Sequence, residues 1–388
     1  MKISFDNTQI AFQAKTNSQL QKSYWLFKLV GSNTLVKISL LLLKIAFGLR
    51  LPIKGLIKHT IFEQFCGGES IDDCNSSIQS LAQFNVSTIL DYSVEGKSSE
   101  ADFTKVSDEV IKTIERAKED NHIPFAVFKV SGLARLKILE KVSSNIELSQ
   151  DEKQEYQKVK NRVKKICQKA HDLNVRIFID AEESWIQNAI DELAIKMMRT
   201  FNIEKAIVFN TLQMYRWDRF AYLKQLYADA ENGNYFLGLK LVRGAYMEKE
   251  RERAIKMNYP SPIQKDKKSC DNDYDLALNF CISHIEKISL CAGTHNENSS
   301  QKLVDLMIAN NILKDDQRVY FSQLLGMSDH ISFNLSHEGY NVVKYMPYGP
   351  VKEVLPYLIR RAEENTSISG QTSRELKLIL KEKKRRNS

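Results

Sequence analysis

A chain of 388 residues, 43% hydrophobic and 27% charged, has an ordinary globular balance and enough length for one large α/β domain or two average ones. Its net charge of +8 owes much to the last run, Leu376 to Asn387; with no zinc finger, RNA-binding signature or aromatic-interleaved basic stripe, nucleic acid is excluded as the expected partner. Six cysteines in mostly apolar settings, without paired ligand spacing, argue against a metal site and for a reducing compartment.

The first residues, MKISFDNTQIAF, lack both the apolar core of a signal peptide and the arginines of a transit peptide. A cytoplasmic protein is expected, peripheral at most to an inner membrane face, or a mitochondrial one in a eukaryote. Residues 1–85 read as a helical arm. Within it Leu35 to Leu49, LVKISLLLLKIAFGL, is too short and too interrupted by Lys37 and Lys44 to cross a bilayer. It reads as an amphipathic helix packed on the core, with a membrane-interface helix as the alternative.

From residue 86 short β-branched runs alternate with helical patterns. The runs begin near Val86, Pro124, Val175, Lys205, Phe236, Ser289, Arg318 and Asn341, with an insertion between the second and third. Strands alternating with helices imply parallel pairing, and eight such units fit a closed (β/α)8, TIM-like barrel preceded by the helical arm. An open doubly wound sheet is the alternative; no G-x-G-x-x-G follows the first run, which argues against dinucleotide binding. The expected organisation is an arm over 1–85, a barrel over 86–367 and a basic tail over 368–388.

Polar residues fall toward the carboxyl ends of these runs: Lys129, Asp180 and Glu182, Gln213, Lys240 and Arg243, Thr294 and His295, Gln323, and Tyr345. In a parallel barrel those ends share one face, where sites are built. After the eighth run comes YLIRRAEEN. At about 100° per residue, Tyr357, Arg360, Arg361 and Glu364 fall within an arc of about 100° on one helix face. Two adjacent guanidiniums beside an aromatic suit a planar carboxylate held by paired hydrogen bonds. A plain i,i+4 surface pair between Arg360 and Glu364 is the bland alternative.

These stretches resemble the proline dehydrogenase family: IFEQFCGGES, LDYSVEGK, FKVSG, IDAEES, LKLVRGAYMEKE, GTHN and YLIRRAEEN occur in family order from about residue 60 to 367. LDYSVE and QFCGGE are closer to its monofunctional, mitochondrial-like branch than to the long bifunctional bacterial proteins. The resemblance implies an FAD-dependent enzyme that oxidises L-proline to Δ1-pyrroline-5-carboxylate, the first step of proline catabolism to glutamate, and passes electrons to a quinone. It implies that Arg360 and Arg361 pair with the proline carboxylate, with Lys129 and Asp180 also among the catalytic group. Leu241, Tyr246, Tyr345, Tyr357 and Glu364 match substrate-pocket positions. Gln213, Lys240, Arg243, Gly244, Thr294, His295 and Gln323 match the flavin shell, and Glu63 the acidic residue that pairs with the first arginine and gates access. The order Lys240 then Arg243 is reversed in some members, which moves the fork nearest the flavin.

The implied chemistry explains the residue types. Fixing the carboxylate with cations orients the ring, and the same cations favour the neutral amine that expels hydride. Asp180 is expected to orient Lys129 rather than to act as a base. Position alone leaves alternatives open. Lys129 and Lys240 suit a Schiff-base barrel aldolase on a carboxylated substrate. His295 suits a core histidine, and Tyr246 and Tyr345 suit packing at the barrel mouth. A non-catalytic, membrane-associated scaffold is the third reading.

Overall fold

Strands buried on both faces need continuous apolar runs, and the eight runs supply them. The computed structural model describes residues 3–31, 54–94, 98–367 and 371–387. Each run is a strand: β1 Val86–Tyr92, β2 Phe125–Phe128, β3 Arg176–Ile179, β4 Val208–Gln213, β5 Leu237–Val242, β6 Ile288–Gly293, β7 Val319–Leu324 and β8 Val342–Tyr348. They close in sequence order into one barrel. This is the expected (β/α)8 fold. The stretch Leu35–Leu49 lies outside the described residues.

Helices α1 (Thr8–Ala11), α2 (Asn17–Val30) and α3 (Asn75–Ala82) precede β1, and α4 (Glu100–Glu119) follows it. The insertion after β2 is two helices, α5 (Leu136–Ser143) and α6 (Gln150–Asp172). Then come α7 (Ser184–Phe201) after β3, α8 (Arg219–Gly233) after β4, and a second pair, α9 (Met247–Met257) and α10 (Lys267–Ser283), after β5. The chain ends with α11 (Glu297–Ala309), α12 (Asp329–His337), α13 (Val351–Ser367) and α14 (Gln371–Asn387).

Local rules account for these boundaries. In α4 the buried Phe103, Val106, Val110, Ile114 and Ala117 recur at helical spacing, and Ser99 caps its start. Ser149 and Glu152 form a reciprocal capping box at α6. Asn85, Asn145, Asn174, Asn234, Asn258 and Asn311 take left-handed backbone conformations just past helix ends, where asparagine is the usual substitute for glycine.

The chain divides into two compact units, Gly96–Ser322, and Lys2–Glu95 with Gln323–Ser388. In the first, Phe125 stacks on Phe178 with ring centroids 4.4 Å apart, and Phe209 and Tyr320 meet Phe125 edge-on. Phe125, Phe209 and Tyr320 are first or second in their strands and Phe178 is third of four, so these rings precede the polar residues at the carboxyl ends along each strand.

In the second unit the basic terminal run forms a docked helix. Leu378 and Ile379 of α14 pack with Phe12, Leu20 and Phe27. Glu382 is fully buried and holds Arg385 and Arg386, and Arg386 donates to the carbonyls of Phe12 and Lys15 at 2.8 Å each. A lysine of β8, Lys344, is fully buried, 2.9 Å from Asp329 of α12. All six cysteines are buried; burial pushes the Cys74 and Cys291 thiols up to about 12 and Cys270 to about 11, so these thiols stay protonated and inert.

Candidate active site

In the first unit the strand ends gather charge. Lys129 and Asp180 each follow the last residue of their strand, and the Asp180 N–H donates to the Phe128 carbonyl at 3.0 Å, drawing the two loops together. The Asp180 carboxylate accepts from the Lys240 ammonium through one oxygen and lies 3.5 Å from the Lys129 ammonium through the other. Lys240 and Asp180 are 5% and 8% exposed, so the pair is taken almost wholly out of water. Lys240 also stands over the Phe178 ring, 5.0 Å from its centroid. One carboxylate therefore serves two lysines, where the sequence reading joined it to Lys129 alone. Leu241, the next residue of β5, is fully buried.

A second cluster surrounds the end of β5. Arg243 donates to Asp271 at 2.7 Å, to the Thr294 hydroxyl at 2.7 Å and to the Ser299 hydroxyl at 3.0 Å, with the Tyr274 ring 4.4 Å from its guanidinium carbon. Three acceptors and an aromatic face fix its plane. Gly244 has φ of 137°, and a Cβ there would lie 2.4 Å from the Tyr215 ring, so only glycine fits. Tyr246 stands at the residue just before α9, and His295 is half-buried beside Thr294. Gln213 ends β4 at 2% exposure, and its side-chain oxygen has no hydrogen-bond partner among the described residues.

The other predicted residues lie in the second unit. Tyr357 and Arg361 are each 7% exposed, and the Arg361 guanidinium carbon lies 5.2 Å from the Tyr357 ring centroid. They share one face of α13, as the helical spacing predicts, and Arg360 beside them is half-buried. The Glu364 side chain lies outside the described part. Gln323 near the end of β7 accepts from the Ser332 hydroxyl at 2.8 Å, and Tyr345 in β8 is buried. Glu63 pairs with Lys22 at 3.1 Å on the surface.

Residues 74–374 match the family model described as proline dehydrogenase. The chain belongs to the proline dehydrogenase family. It is similar to the carbapenem antibiotics biosynthesis protein CarD of Pectobacterium carotovorum subsp. carotovorum, 33% identical over 322 residues and covering 83% of each chain. It is also similar to the mitochondrial proline dehydrogenase 1 of Dictyostelium discoideum, 31% identical over 431 residues, covering 99% of this chain and 75% of that one. Among solved structures, proline utilization A from Bdellovibrio bacteriovorus inactivated by N-propargylglycine shares the fold, with a TM-score of 0.73 at 19% identity. That match covers 93% of this chain but only 38% of the solved one. Membership in the proline dehydrogenase family supports an oxidoreductase that acts on proline.

Glu182 was noted in the sequence only as a polar strand-end residue, while Glu250, Asp271 and Ser299 were not noted. Glu182 is 3% exposed and accepts from the Ser131 N–H at 2.9 Å and from the Ser131 hydroxyl. Glu250 of α9 is fully buried and accepts both the N–H and the hydroxyl of Ser184 at 2.6 Å, capping α7 from outside. Asp271 and Ser299 orient Arg243. In IDAEES the signal was present: carboxylates at alternate positions, 180 and 182, just past an apolar strand.

Proposed function

We propose that this proline dehydrogenase family member is an FAD-dependent L-proline dehydrogenase that forms Δ1-pyrroline-5-carboxylate. The observation that carries this reading is the Lys129–Asp180–Lys240 cluster, with Asp180 and Lys240 buried, at the strand ends of a chain with this family membership. FAD suits the residues present. The Gln213 oxygen is a buried acceptor that lacks a donor, which a flavin ring N–H supplies, and Arg243 is a fixed cation for an electron-rich ring or phosphate. With Gln213 and Arg243, residues Lys240, Gly244, Thr294, His295 and Gln323 would hold the cofactor.

Bound FAD would supply the acceptor for the hydride of the proline C5 carbon. The rest of the chemistry belongs to the chain. On the family resemblance, Arg360, Arg361 and Lys129 would bind the carboxylate and, as like charges, favour the neutral amine, whose lone pair forms the C=N bond as hydride leaves; the resulting protonated imine then gives its N–H proton to solvent. Asp180 keeps Lys129 and Lys240 in place. Leu241, Tyr246, Tyr345 and Tyr357 exclude water, Glu364 supports the arginine face, and Glu63 gates access. A quinone would be the electron acceptor, and a lipid-soluble acceptor would call for contact with a membrane surface.

Peripheral contact fits the helices of the second unit. Trp25 and Leu29 of α2 and Leu380 of α14 are 57%, 43% and 46% exposed, and Lys28 and Lys383 stand over the rings of Trp25 and Tyr24 at 5.0 and 4.3 Å. An exposed tryptophan and a half-buried tyrosine among lysines suit an anionic lipid interface. No helix among the described residues is long and apolar enough to cross a membrane.

The visible spectrum tests the function. Flavin absorbance bleached anaerobically by L-proline is expected; a colourless protein trapped by borohydride with a carbonyl substrate would favour the aldolase. Arg360→Ala should raise KM for proline far more than it lowers flavin content, and an unchanged KM would count against the clamp.

A further inference from the structure

We propose that Glu182 is a positioning residue for Lys129 and that its protonation state sets the net charge of the lysine pocket; this rests on the carboxylate-binding role given to that pocket above. Lys129 is the N-cap of a 3-10 turn, Val130–Gly132, whose Gly132 N–H returns to the Lys129 carbonyl at 3.1 Å. Glu182 grips the middle of this turn by both the backbone N–H and the hydroxyl of Ser131. It is itself anchored, because its N–H donates to Gln187 at 2.8 Å and Gln187 donates to Asp191 at 2.9 Å. Asp191 is in turn held by Arg219 at 2.8 Å and Asn210 at 2.9 Å. The brace thus runs from the body of α7 to the residue that presents the ammonium. Loosening the turn moves Lys129 without touching it.

The charges around Glu182 come from several elements. Lys129 faces it from the turn after β2. Asp180 and Glu183 flank it along its own loop, Asp180 holding Lys240 of β5 and Glu183 holding Lys249 of α9. Asp191 lies behind Gln187 in α7, and Glu250 caps the adjoining Ser184. Burial raises the Glu182 carboxyl most, Glu183 adds to the rise, and Ser131 and Lys129 oppose it; the balance is about 7. A carboxyl in that range changes charge near neutrality. With Glu182 protonated, Lys129 and Lys240 against Asp180 leave one net positive charge; with Glu182 ionised they leave none. A carboxylate ligand is favoured by the first state. The proton exchanges with solvent and none passes to substrate.

Proline is a poor probe of this, because its amine titrates too. Tetrahydrofuran-2-carboxylate keeps the ring and carboxylate and lacks the amine. Its dissociation constant on the flavin-loaded protein should rise roughly tenfold from about pH 6 to about pH 8.5, the effect of one unit charge about ten ångströms away at an effective dielectric near 20. Glu182→Gln should flatten that profile. Ser131→Ala should weaken binding at every pH and keep a pH dependence displaced to higher pH, since it loosens the turn, leaves the charge and removes a hydroxyl that opposes the rise of the Glu182 carboxyl. Infrared difference spectra of the unmodified protein over the same range should show a buried carboxylic acid losing its proton. An equal slope in Glu182→Gln, a flat profile in the unmodified protein, or no such infrared change would overturn the inference while leaving proline oxidation standing. No bleaching by proline together with no binding of the probe would overturn both.

Discussion

Asp180→Asn is the sharpest perturbation of the first unit. Asp180 and Lys240 are a contacting pair at 8% and 5% exposure, and removing one member of such a pair costs about 3–5 kcal/mol, because the other charge stays out of water without the group it touches. Lys129 adds little to this, since at 3.5 Å and with its side chain 22% exposed it is near the range of surface pairs, about 1 kcal/mol or less. The reverse change is milder. In Lys240→Met the carboxylate keeps Lys129, so a loss of about 1–3 kcal/mol is expected. The double variant leaves no buried charge stranded and should be more stable than Asp180→Asn alone. Urea unfolding followed by circular dichroism gives all four corners of the cycle, with an expected coupling of about 2 kcal/mol or more. Additive single effects, or a loss below about 1 kcal/mol for Asp180→Asn, would refute the view that one aspartate carries the two lysines.

Gly244→Ala sets a Cβ 2.4 Å from the Tyr215 ring at a φ of 137°, so a loss of about 2–3 kcal/mol is expected and, under the proposed FAD binding, reduced flavin retention; melting curves and the absorbance ratio of purified protein check both. Glu182 gives a pH signature in stability. Its folded value of about 7 lies above the ordinary 4.5, so between those values the folded chain keeps a proton that the unfolded chain has released, and stability falls as pH rises through that window. Glu182→Gln removes this penalty of about 3 kcal/mol, so its advantage should be full above about pH 7 and absent below about pH 4.5 in urea titrations. Arg386→Ala loses bonds to Phe12, Lys15 and Asn17 and to Glu382, and should speed amide exchange in α2 and α14. Trp25→Ala should weaken sedimentation with phosphatidylglycerol vesicles and leave turnover with a soluble dye acceptor unchanged; equal sedimentation would remove α2 from the membrane face.

The barrel was legible because buried parallel strands demand runs of one kind, and every predicted run became a strand. The second helix pair, α9 and α10, was not, although Pro260 and Pro262 interrupt that long polar stretch and Asn258 ends α9. The docked α14 was hidden by composition: Leu378, Ile379 and the buried Glu382 lie among lysines and arginines that dominate a count of charge. Site chemistry was legible as residue types at strand ends. Their pairings were not, because Lys240 meets Asp180 across 60 residues, and Glu182 meets Ser131 across 51. Such contacts are set by which strands become neighbours, which no local spacing records.

Those pairings also bear on the competing chemistry. An amine that attacks a carbonyl must offer a lone pair, and both candidate lysines share the Asp180 carboxylate, an arrangement suited to cations. Arg243 is fixed in the same manner by Asp271, Thr294 and Ser299. Holding a flexible cation ready costs ordering when the chain folds rather than when a ligand arrives, so little rotamer entropy remains to be lost on binding. That economy favours a site that must hold a small anionic ring still for hydride transfer, where misplacement by about an ångström is expensive. A nucleophilic lysine would instead need its amine released from Asp180 before each turnover. The same wiring explains why Asp180→Asn is expected to damage the protein before its kinetics can be read, and why Lys240→Met, which keeps Asp180 on Lys129, is the variant that separates orientation from covalent catalysis. Under the proposed reaction it retains bleaching by proline with altered rate; an aldolase dependent on Lys240 would lose all activity and all borohydride trapping.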